Sequence, residues 1–378
     1  MKVARYIQSE LQTSLQPGRA VILLGARRVG KTTLIRSLID TTSKKVAFFN
    51  CDDPDVRAQF FNIGFQALQR LLTNIDVVIF DEAQRIKNIG ITLKLITDEL
   101  PSKKLLVTGS SSLELSNQIN EPLTGRKKTF QLFPISVLEL WHQENQEALA
   151  IKSRLDDLLR FGSYPKIFDL DSHQEKEEYL LELTGDYLFK DILEYQNVRS
   201  PEQIRKLLIA LALQIGQEVS LPELGNIVGI DQKTVTRYLD LLEKSFVIFR
   251  LPALSRNLRK EISKSRKIYF YDLGIRNSLI KNFNHYDLRQ DRGQVWENFL
   301  VSERRKKDHY QRLAKNYYFW RTYNQKEIDL VEEKSGLMSG FEFKWQSHNF
   351  VKPADFLASY PGSDITIINQ QNFLDFVL

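Results

Sequence analysis

A single cysteine, Cys51, stands in 378 residues, so an internal disulfide and a cysteine-based metal cluster are both excluded. Long hydrophobic runs are missing as well. The longest, such as Val77 to Phe80 and Phe246 to Phe249, fall far short of the roughly 20 residues a bilayer-spanning helix needs. Met1 to Gln12 carries charges and no apolar stretch of the kind that marks a secretory signal. The five histidines, His142, His173, His285, His309 and His348, show no paired ligand spacing, which argues against a structural zinc. There is no G-x-S-x-G nucleophile elbow and no internal repeat. These absences lead to an expectation of a non-membrane protein of a reducing cytoplasm, long enough for two or three domains.

Charge is unevenly placed. The formal net charge is +6, and between Pro201 and Tyr310 there are 20 Lys and Arg against 13 Asp and Glu. The basic excess therefore lies in that region, which is the footprint of a polyanion partner such as nucleic acid, or else an ordinary solvated face.

What is present begins with Gly25-Ala26-Arg27-Arg28-Val29-Gly30-Lys31-Thr32-Thr33, preceded by the apolar run Ala20 to Leu24 and followed by Leu34 to Ile39. Strand, G-x-x-x-x-G-K-T, then helix is the full phosphate-binding loop pattern. Its glycines let the backbone curl so that N–H groups face phosphate oxygens at a helix N-terminus. Lys31 would reach the β- and γ-phosphates, and Thr32 would hold Mg²⁺. A glycine-bearing turn that matches by chance is the competing reading.

Residues 3 to 16 carry Ile7, Leu11 and Leu15 in amphipathic helical spacing, and Pro17-Gly18 ends that segment. Lys44 to Asn50 reads as a strand, 55 to 73 as one helix, and Ile75 to Glu82 as an unbroken apolar strand with two carboxylates at its carboxyl end. Such runs belong to parallel strands covered on both faces, whose carboxyl ends form the ligand crevice. Asp81 is then placed to coordinate the metal and Glu82 to polarise the attacking water, unless the pair merely caps a helix. The next strand, Lys104 to Ser112, also turns polar at its end. Thr108 and Ser110 there either sense the γ-phosphate and hold the lytic water or serve a turn or cap.

Several segments together resemble a family. Ala26 to Thr33, Phe80-Asp81-Glu82-Ala83-Gln84, Thr108-Gly109-Ser110-Ser111, Leu123-Thr124-Gly125-Arg126 and Phe133-Pro134-Ile135-Ser136 with Glu139 look like prokaryotic AAA-type ATPases that carry a C-terminal extension. Phe161-Gly162-Ser163-Tyr164-Pro165, Tyr187 to Ile192 and Tyr269 to Gly274 continue the match over nearly the whole chain. The resemblance implies ATP and Mg²⁺ as cofactors. It also makes Arg126 an arginine finger, within one chain or across a homo-oligomer formed through the ATPase domain, with a structural salt bridge as the alternative.

Ala148 to Gln196 is helical in pattern, is broken by Gly162 to Pro165, and carries no assigned chemistry. From 202 to 255, three helical stretches precede a hydrophobic ribbon, with Ser220 and Asp231 as caps. Val235, Tyr238, Leu239 and Leu242 share one face of the third helix, leaving Lys233, Thr234, Thr236 and Arg237 outward. The segment resembles a winged helix-turn-helix, and those outward residues would touch DNA or another nucleic acid unless the module only packs domains together. Arg256, Arg259, Lys260, Lys264, Arg266 and Lys267 follow within twelve residues and would supply phosphate affinity.

Past Lys267 to Gly274, a helix opens at Gly293, and three strands, Tyr317–Arg321, Glu327–Glu332 and Gly340–Trp345, read as a meander. Asp329 sits inside a strand between Ile328 and Leu330, where a charge needs a metal, water or a partner. With Glu342-Phe343-Lys344 and the helical Glu297, it resembles the PD-(D/E)xK nuclease fold. By that resemblance Asp329 and Glu342 bind Mg²⁺, Lys344 positions the nucleophilic water, and Glu297 assists. Many proteins keep such a fold for binding alone.

The expected fold class is α/β: a three-layer P-loop NTPase sandwich of the AAA type over 1–147, a helical linker bundle over 148–200, a winged helix over 201–265 and a restriction-endonuclease-like α/β domain over 266–378. Three functions fit this layout. One is an ATPase that controls a nucleic-acid-binding and nuclease module. Another is a nucleotide-regulated binding or signalling protein with an inactive nuclease-like domain for DNA or protein docking. The third is a regulator that touches only its own operator.

Overall fold

The computed structural model describes residues 3–110, 119, 122–188, 200–254, 266–322, 324–346 and 350–378. Two compact units divide the chain. One comprises Ala4–Phe133 with Lys244–Phe246, the other Pro134–Glu243 with Val247–Leu378 and the first three residues. The expected boundaries at 147, 200 and 265 all fall inside the second unit.

The first unit is built on five strands, β1 (Ala20–Leu24), β2 (Val46–Asn50), β3 (Val77–Asp81), β4 (Lys104–Gly109) and β5 (Lys127–Gln131). They lie in the order β2-β3-β4-β1-β5, every neighbouring pair parallel. Every residue of β1 and β3 is buried, as their unbroken apolar sequences require of strands covered on both faces. Helices Lys31–Asp40, Pro54–Phe60, Phe65–Leu71 and Ile89–Glu99 belong to the same unit. Because β1 lies between β4 and β5, the connections diverge around it, and the crevice opens beyond its carboxyl end. Phe49, Phe60 and Phe80 meet ring to ring at 4.7–5.3 Å in the core.

Local expectations needed correction in two places. The helix expected over 55–73 is two short helices, because Asn62 takes a left-handed conformation (φ 53°) and Gly64 caps the second. The segment 3–16 is helical only over Gln8–Ser14, although Leu11 is buried as expected.

In the second unit, helices Val137–Gln143, Ala148–Ser153 and Leu155–Phe161 lead to the break at Gly162. There the buried Asp272 carboxylate accepts from Ser163 N at 2.7 Å, and a Cβ on Gly162 would lie 2.2 Å from Asp272 Oδ1. Glycine with positive φ is the residue that fits. Helix His173–Glu182 follows and passes into a π-helical turn, Leu183–Leu188.

Next come helix Pro201–Leu213, β6 (Glu218–Val219), helices Leu221–Val228 and Gln232–Lys244, β7 (Ile248–Pro252) and β8 (Arg266–Phe270). The three strands form an antiparallel sheet in the order β6-β8-β7. Val235, Tyr238, Leu239 and Leu242 are buried as their spacing predicts. β8, which the expected division assigns to the last domain, belongs to this sheet.

The remainder contains the 19-residue helix Arg292–Tyr310 and a sheet ordered β12-β11-β10-β9. β9 (Asn316–Arg321), β10 (Glu327–Lys334) and β11 (Leu337–Phe343) form the expected meander, and β12 (Asp364–Ile368) lies parallel to β11. Ser335 (φ 53°) and Gly336 (φ 82°) make the two-residue turn between β10 and β11, both in the left-handed region that such tight hairpins demand.

The aromatic triad gives a direct check on the first core. Phe80→Ala should lower stability by about 3–5 kcal/mol, read as a lower midpoint in the urea transition of the first unit, because it empties the space between two other rings.

Candidate nucleotide site and carboxylate cluster

The loop Gly25–Gly30 leaves β1 and runs into the helix Lys31–Asp40, with Gly30 left-handed at the helix start (φ 97°). Gly25 N donates to Gly109 O at 3.3 Å, tying the loop to the end of β4. Gly25 admits no side chain, since a Cβ there would lie 2.3 Å from Leu132 O. The buried Lys31 folds back, its Nζ donating to Gly25 O (2.9 Å) and Ala26 O (3.1 Å), and lies 3.4 Å from Glu82 Oε1. Ala26 and Val29 are buried, whereas Arg28 takes φ 61° at the turn of the loop.

Asp81, the last residue of β3, is the centre of the constellation. Thr32 Oγ1 donates to its Oδ2 at 2.8 Å and Thr108 Oγ1 to its Oδ1 at 2.5 Å. Thr108 Oγ1 in turn accepts from Glu82 N at 2.9 Å. Glu82 itself sits in the left-handed region (φ 54°, ψ 45°), costly for a residue with a side chain, on the order of 1–2 kcal/mol. Burial pushes the Glu82 carboxyl up, but the Lys31 ammonium, the Gln84 amide, Arg27 and Ser110 outweigh it and hold it below its ordinary value. Gln84 Nε2 bridges Glu82 Oε2 (2.6 Å) and Ser110 Oγ (2.9 Å), while its buried Oε1 has no hydrogen-bond partner among the described residues.

Lys31, Thr32, Asp81, Glu82, Thr108 and Ser110 are thus brought together. Thr108 bonds Asp81 at the end of β3 and the amide of Glu82 that follows it, and Ser110 bonds Gln84. Gln84 was overlooked as a site residue. Its signal was its position two residues after Glu82, within the quoted Asp81-Glu82-Ala83-Gln84 stretch. Arg126 is not part of the gathering. Its carbonyl accepts from Ala20 N at the amino end of β1, and its guanidinium pairs with Asp98 at 3.0 Å. The nucleotide loop lies at the opposite, carboxyl end of that strand.

The set fits a Mg²⁺ nucleotide. Mg²⁺ takes one or two protein oxygens and leaves its other positions to phosphate and water, and Thr32 and Asp81 present adjacent oxygens beside a loop that cannot carry a side chain at Gly25.

The second constellation lies where β8, β10, β11 and the long helix meet. Lys267 Nζ lies 2.9 Å from Glu297 Oε1, 2.5 Å from Glu327 Oε1 and 3.9 Å from Asp329 Oδ1. Tyr269 OH donates to Glu297 Oε1 at 2.5 Å, and Phe343 N donates to Asp329 Oδ2 at 2.8 Å. Lys344 Nζ is 2.7 Å from Glu342 Oε1, whose buried Oε2 has no hydrogen-bond partner among the described residues. Burial first, then the neighbouring Glu297 and Glu342 carboxylates, push Asp329 well above its ordinary range. Burial, with Glu297 and Glu327, likewise raises Glu342 against the pull of Lys344.

Asp329, Glu342, Glu297 and Lys344 therefore converge, as the sequence led us to expect. Lys267 already stands among the carboxylates, and no group of three or more potential ligands is spaced to hold a metal among the described residues. Lys267 was counted as part of a basic cluster and Glu327 went unremarked. The missed signal was that Lys267 and Tyr269 share one face of β8, the face opposite Arg266 and Ile268.

On the helix Gln232–Lys244, Lys233 and Arg237 are exposed, and Thr234 and Thr236 are half-buried. Both threonines bond locally: Thr234 N and Oγ1 to Asp231 at 3.0 and 2.7 Å, and Thr236 Oγ1 to Gln232 O at 3.0 Å. Arg256, Arg259, Lys260 and Lys264 lie outside the described residues, as do Ser111 and Ser112. No helix of the described residues is long and apolar enough to cross a membrane.

Residues 17–141 match the model of an AAA domain. By that match this part of the chain is similar to AAA domains. Residues 152–286 and 292–364 match two domains of unknown function, DUF8612 and DUF4143. An uncharacterised protein of Mycobacterium tuberculosis is 28% identical over 344 residues, covering 89% of this chain and 72% of its own. An uncharacterised protein of Methanocaldococcus jannaschii is 25% identical, over 81% of this chain and 71% of its own. Among solved structures, the Walker-type ATPase PABY2304 of Pyrococcus abyssi is similar at a TM-score of 0.47 and 19% identity, over 73% of this chain and 94% of that one.

Within the nucleotide loop, the close approach at Gly25 is the sharpest constraint. Gly25→Ala should lower nucleotide affinity at least about tenfold in a fluorescent-nucleotide titration, because the loop must move off Leu132 O to make room.

Proposed function

We propose that the chain is a Mg²⁺-dependent ATPase whose nucleotide state governs a nucleic-acid-docking second unit that does not cleave. The observation that carries the first half is the Thr32–Asp81–Thr108 chain of hydrogen bonds, with Glu82 held beside Lys31. The loop amides, with Arg27, Arg28 and Thr33 around them, would cradle the phosphates. Lys31 would exchange the carbonyls of Gly25 and Ala26 for phosphate oxygens, a trade of neutral acceptors for anionic ones. Thr32 and Asp81 would hold Mg²⁺, which when bound neutralises charge on the phosphates. Glu82, kept ionised, would accept a proton from the attacking water, with Gln84 and Ser110 fixing its carboxylate. Arg126 would reach a phosphate only from a neighbouring copy, which makes a homo-oligomer part of this reading.

For the second unit, three helices with an antiparallel β6-β8-β7 sheet in this chain order support a winged-helix reading. Lys233 and Arg237 then supply phosphate contacts, with Thr234 and Thr236 nearer the helix surface and Arg256, Arg259 and Lys260 just beyond β7. The helix, meander and parallel fourth strand around Asp329 support a nuclease-like fold. Lys267 among its carboxylates favours docking over cleavage by Asp329, Glu342 and Lys344.

The decisive experiment measures ATP hydrolysis with and without single-stranded, duplex and supercoiled DNA. Lys31→Ala and Glu82→Gln should each reduce kcat by about 10²-fold or more, Glu82→Gln with nucleotide binding retained. Normal hydrolysis by Lys31→Ala would sink the assignment. Lys233→Ala with Arg237→Ala should weaken DNA binding and reduce the salt slope by about two; an unchanged slope removes this helix from the interface.

Arg126 has its own test. Arg126→Ala should cut kcat on the order of 10³-fold, and mixing it with Lys31→Ala subunits should restore part of the activity, since each then supplies what the other lacks. Absence of complementation with full loss in the single variant assigns Arg126 a structural role.

A further inference from the structure

The Lys267 cluster has a meaning of its own, independent of the ATP reading. Four carboxylates, Glu297, Glu327, Asp329 and Glu342, come from one helix and two strands, and two of them fall in tandem on β10. The Lys267 side chain is 3% exposed. Its ammonium has two carboxylate partners within 2.9 Å and a third at 3.9 Å, and it lies 5.6 Å from the centre of the Phe319 ring. A lysine this enclosed does not swing out to solvent, and an ammonium so surrounded is strongly retained in its charged form. Glu342, by contrast, has a side chain only 8% exposed with one carboxylate oxygen lacking any hydrogen-bond partner. One buried oxygen is thus left available to a cation, while the carboxylates it would need beside it are already engaged.

We propose that Lys267 is the resident counter-cation of this cluster and that its presence keeps a divalent metal ion from being held by Glu297, Asp329 and Glu342. A divalent ion bound by Asp329 and Glu297 would sit within a few ångströms of the ammonium, and like charges that close in a partly desolvated site repel strongly. Hard-cation sites are built of oxygens, and a fixed ammonium among them takes both the space and the lone pairs. The arrangement therefore works as an ionic junction between β8, β10 and the long helix, with the metal's place taken by a side chain. Removing the ammonium while keeping its length opens a site of three carboxylates on three elements.

The test uses the full chain carrying Asp81→Asn, so that the nucleotide site does not contribute metal binding. Mn²⁺ binding is read by electron paramagnetic resonance, and thermal unfolding is followed with and without Mn²⁺. With Lys267 present, no Mn²⁺ site should be lost on adding Asp329→Asn, and Mn²⁺ should leave the unfolding temperature unchanged. With Lys267→Gln, one site should appear that Asp329→Asn removes, and Mn²⁺ should raise the unfolding temperature of that variant. A Mn²⁺ site that depends on Asp329 while Lys267 is intact overturns the proposal. So does a folded Lys267→Gln chain that gains no site. If Lys267→Gln is too unstable to isolate alone, refolding it with Mn²⁺ reads the same question: recovery of a folded chain supports the proposal, and equal failure with and without Mn²⁺ overturns it.

Discussion

Asp81 is the point on which the first unit turns. Its two oxygens accept from hydroxyls at the start of the loop helix and at the end of β4, so one carboxylate joins three segments that are distant in sequence. A buried charge left without partners costs far more than the hydrogen bonds return, so the carboxylate dictates that both hydroxyls stay where they are. The left-handed Glu82 follows from the same constraint. With Thr108 holding both Asp81 and the amide of Glu82, the chain turns sharply after β3 and delivers the second carboxylate to Lys31. The strain at Glu82 is local, whereas the bonds that maintain it span the sheet.

The second unit contains a different solution to the same electrostatic problem. Where the first unit leaves Asp81 to hydroxyls, the Asp329 cluster carries its own ammonium. Both satisfy buried acid, but hydroxyls are neutral and exchangeable, while Lys267 is a permanent charge. A site bonded by hydroxyls remains open to a cation, and one bonded by lysine has answered that demand from within the chain.

Much of the first unit was legible because its signals are local. A strand, a glycine-bearing loop and a helix follow one another without interruption, and apolar runs ending in polar residues mark the carboxyl edge of a parallel sheet. The long helix at 55–73 was misread because a period of apolar residues does not reveal that Asn62 leaves the helical region; backbone conformation at one residue broke a pattern its neighbours shared. The position of Arg126 was less legible: it directly precedes β5, but that β5 runs parallel to β1 and so sets Arg126 at the end of the sheet away from the loop is a long-range pairing that no local pattern specifies. Lys267 is the clearest instance: composition placed it with the basic residues around it, whereas pairing of β8 with β6 and β7 turned it inward onto acids thirty and more residues away. The helices between 201 and 244 were read from their caps and faces, but β8, which pairs with β6 and β7, was assigned elsewhere.

The turn at Ser335 and Gly336 governs more than the hairpin it closes. The registered pairs of β10 and β11 run from Lys334 opposite Leu337 to Leu330 opposite Phe341, and the next step brings Asp329 opposite Glu342. Side chains alternate between faces, so a loop one residue longer would carry Glu342 to the other side of the sheet. Two left-handed residues at the surface are therefore a length gauge for an ionic cluster several residues inside, and the spacing from Asp329 to Glu342 is conserved by geometry wherever that turn keeps its two residues.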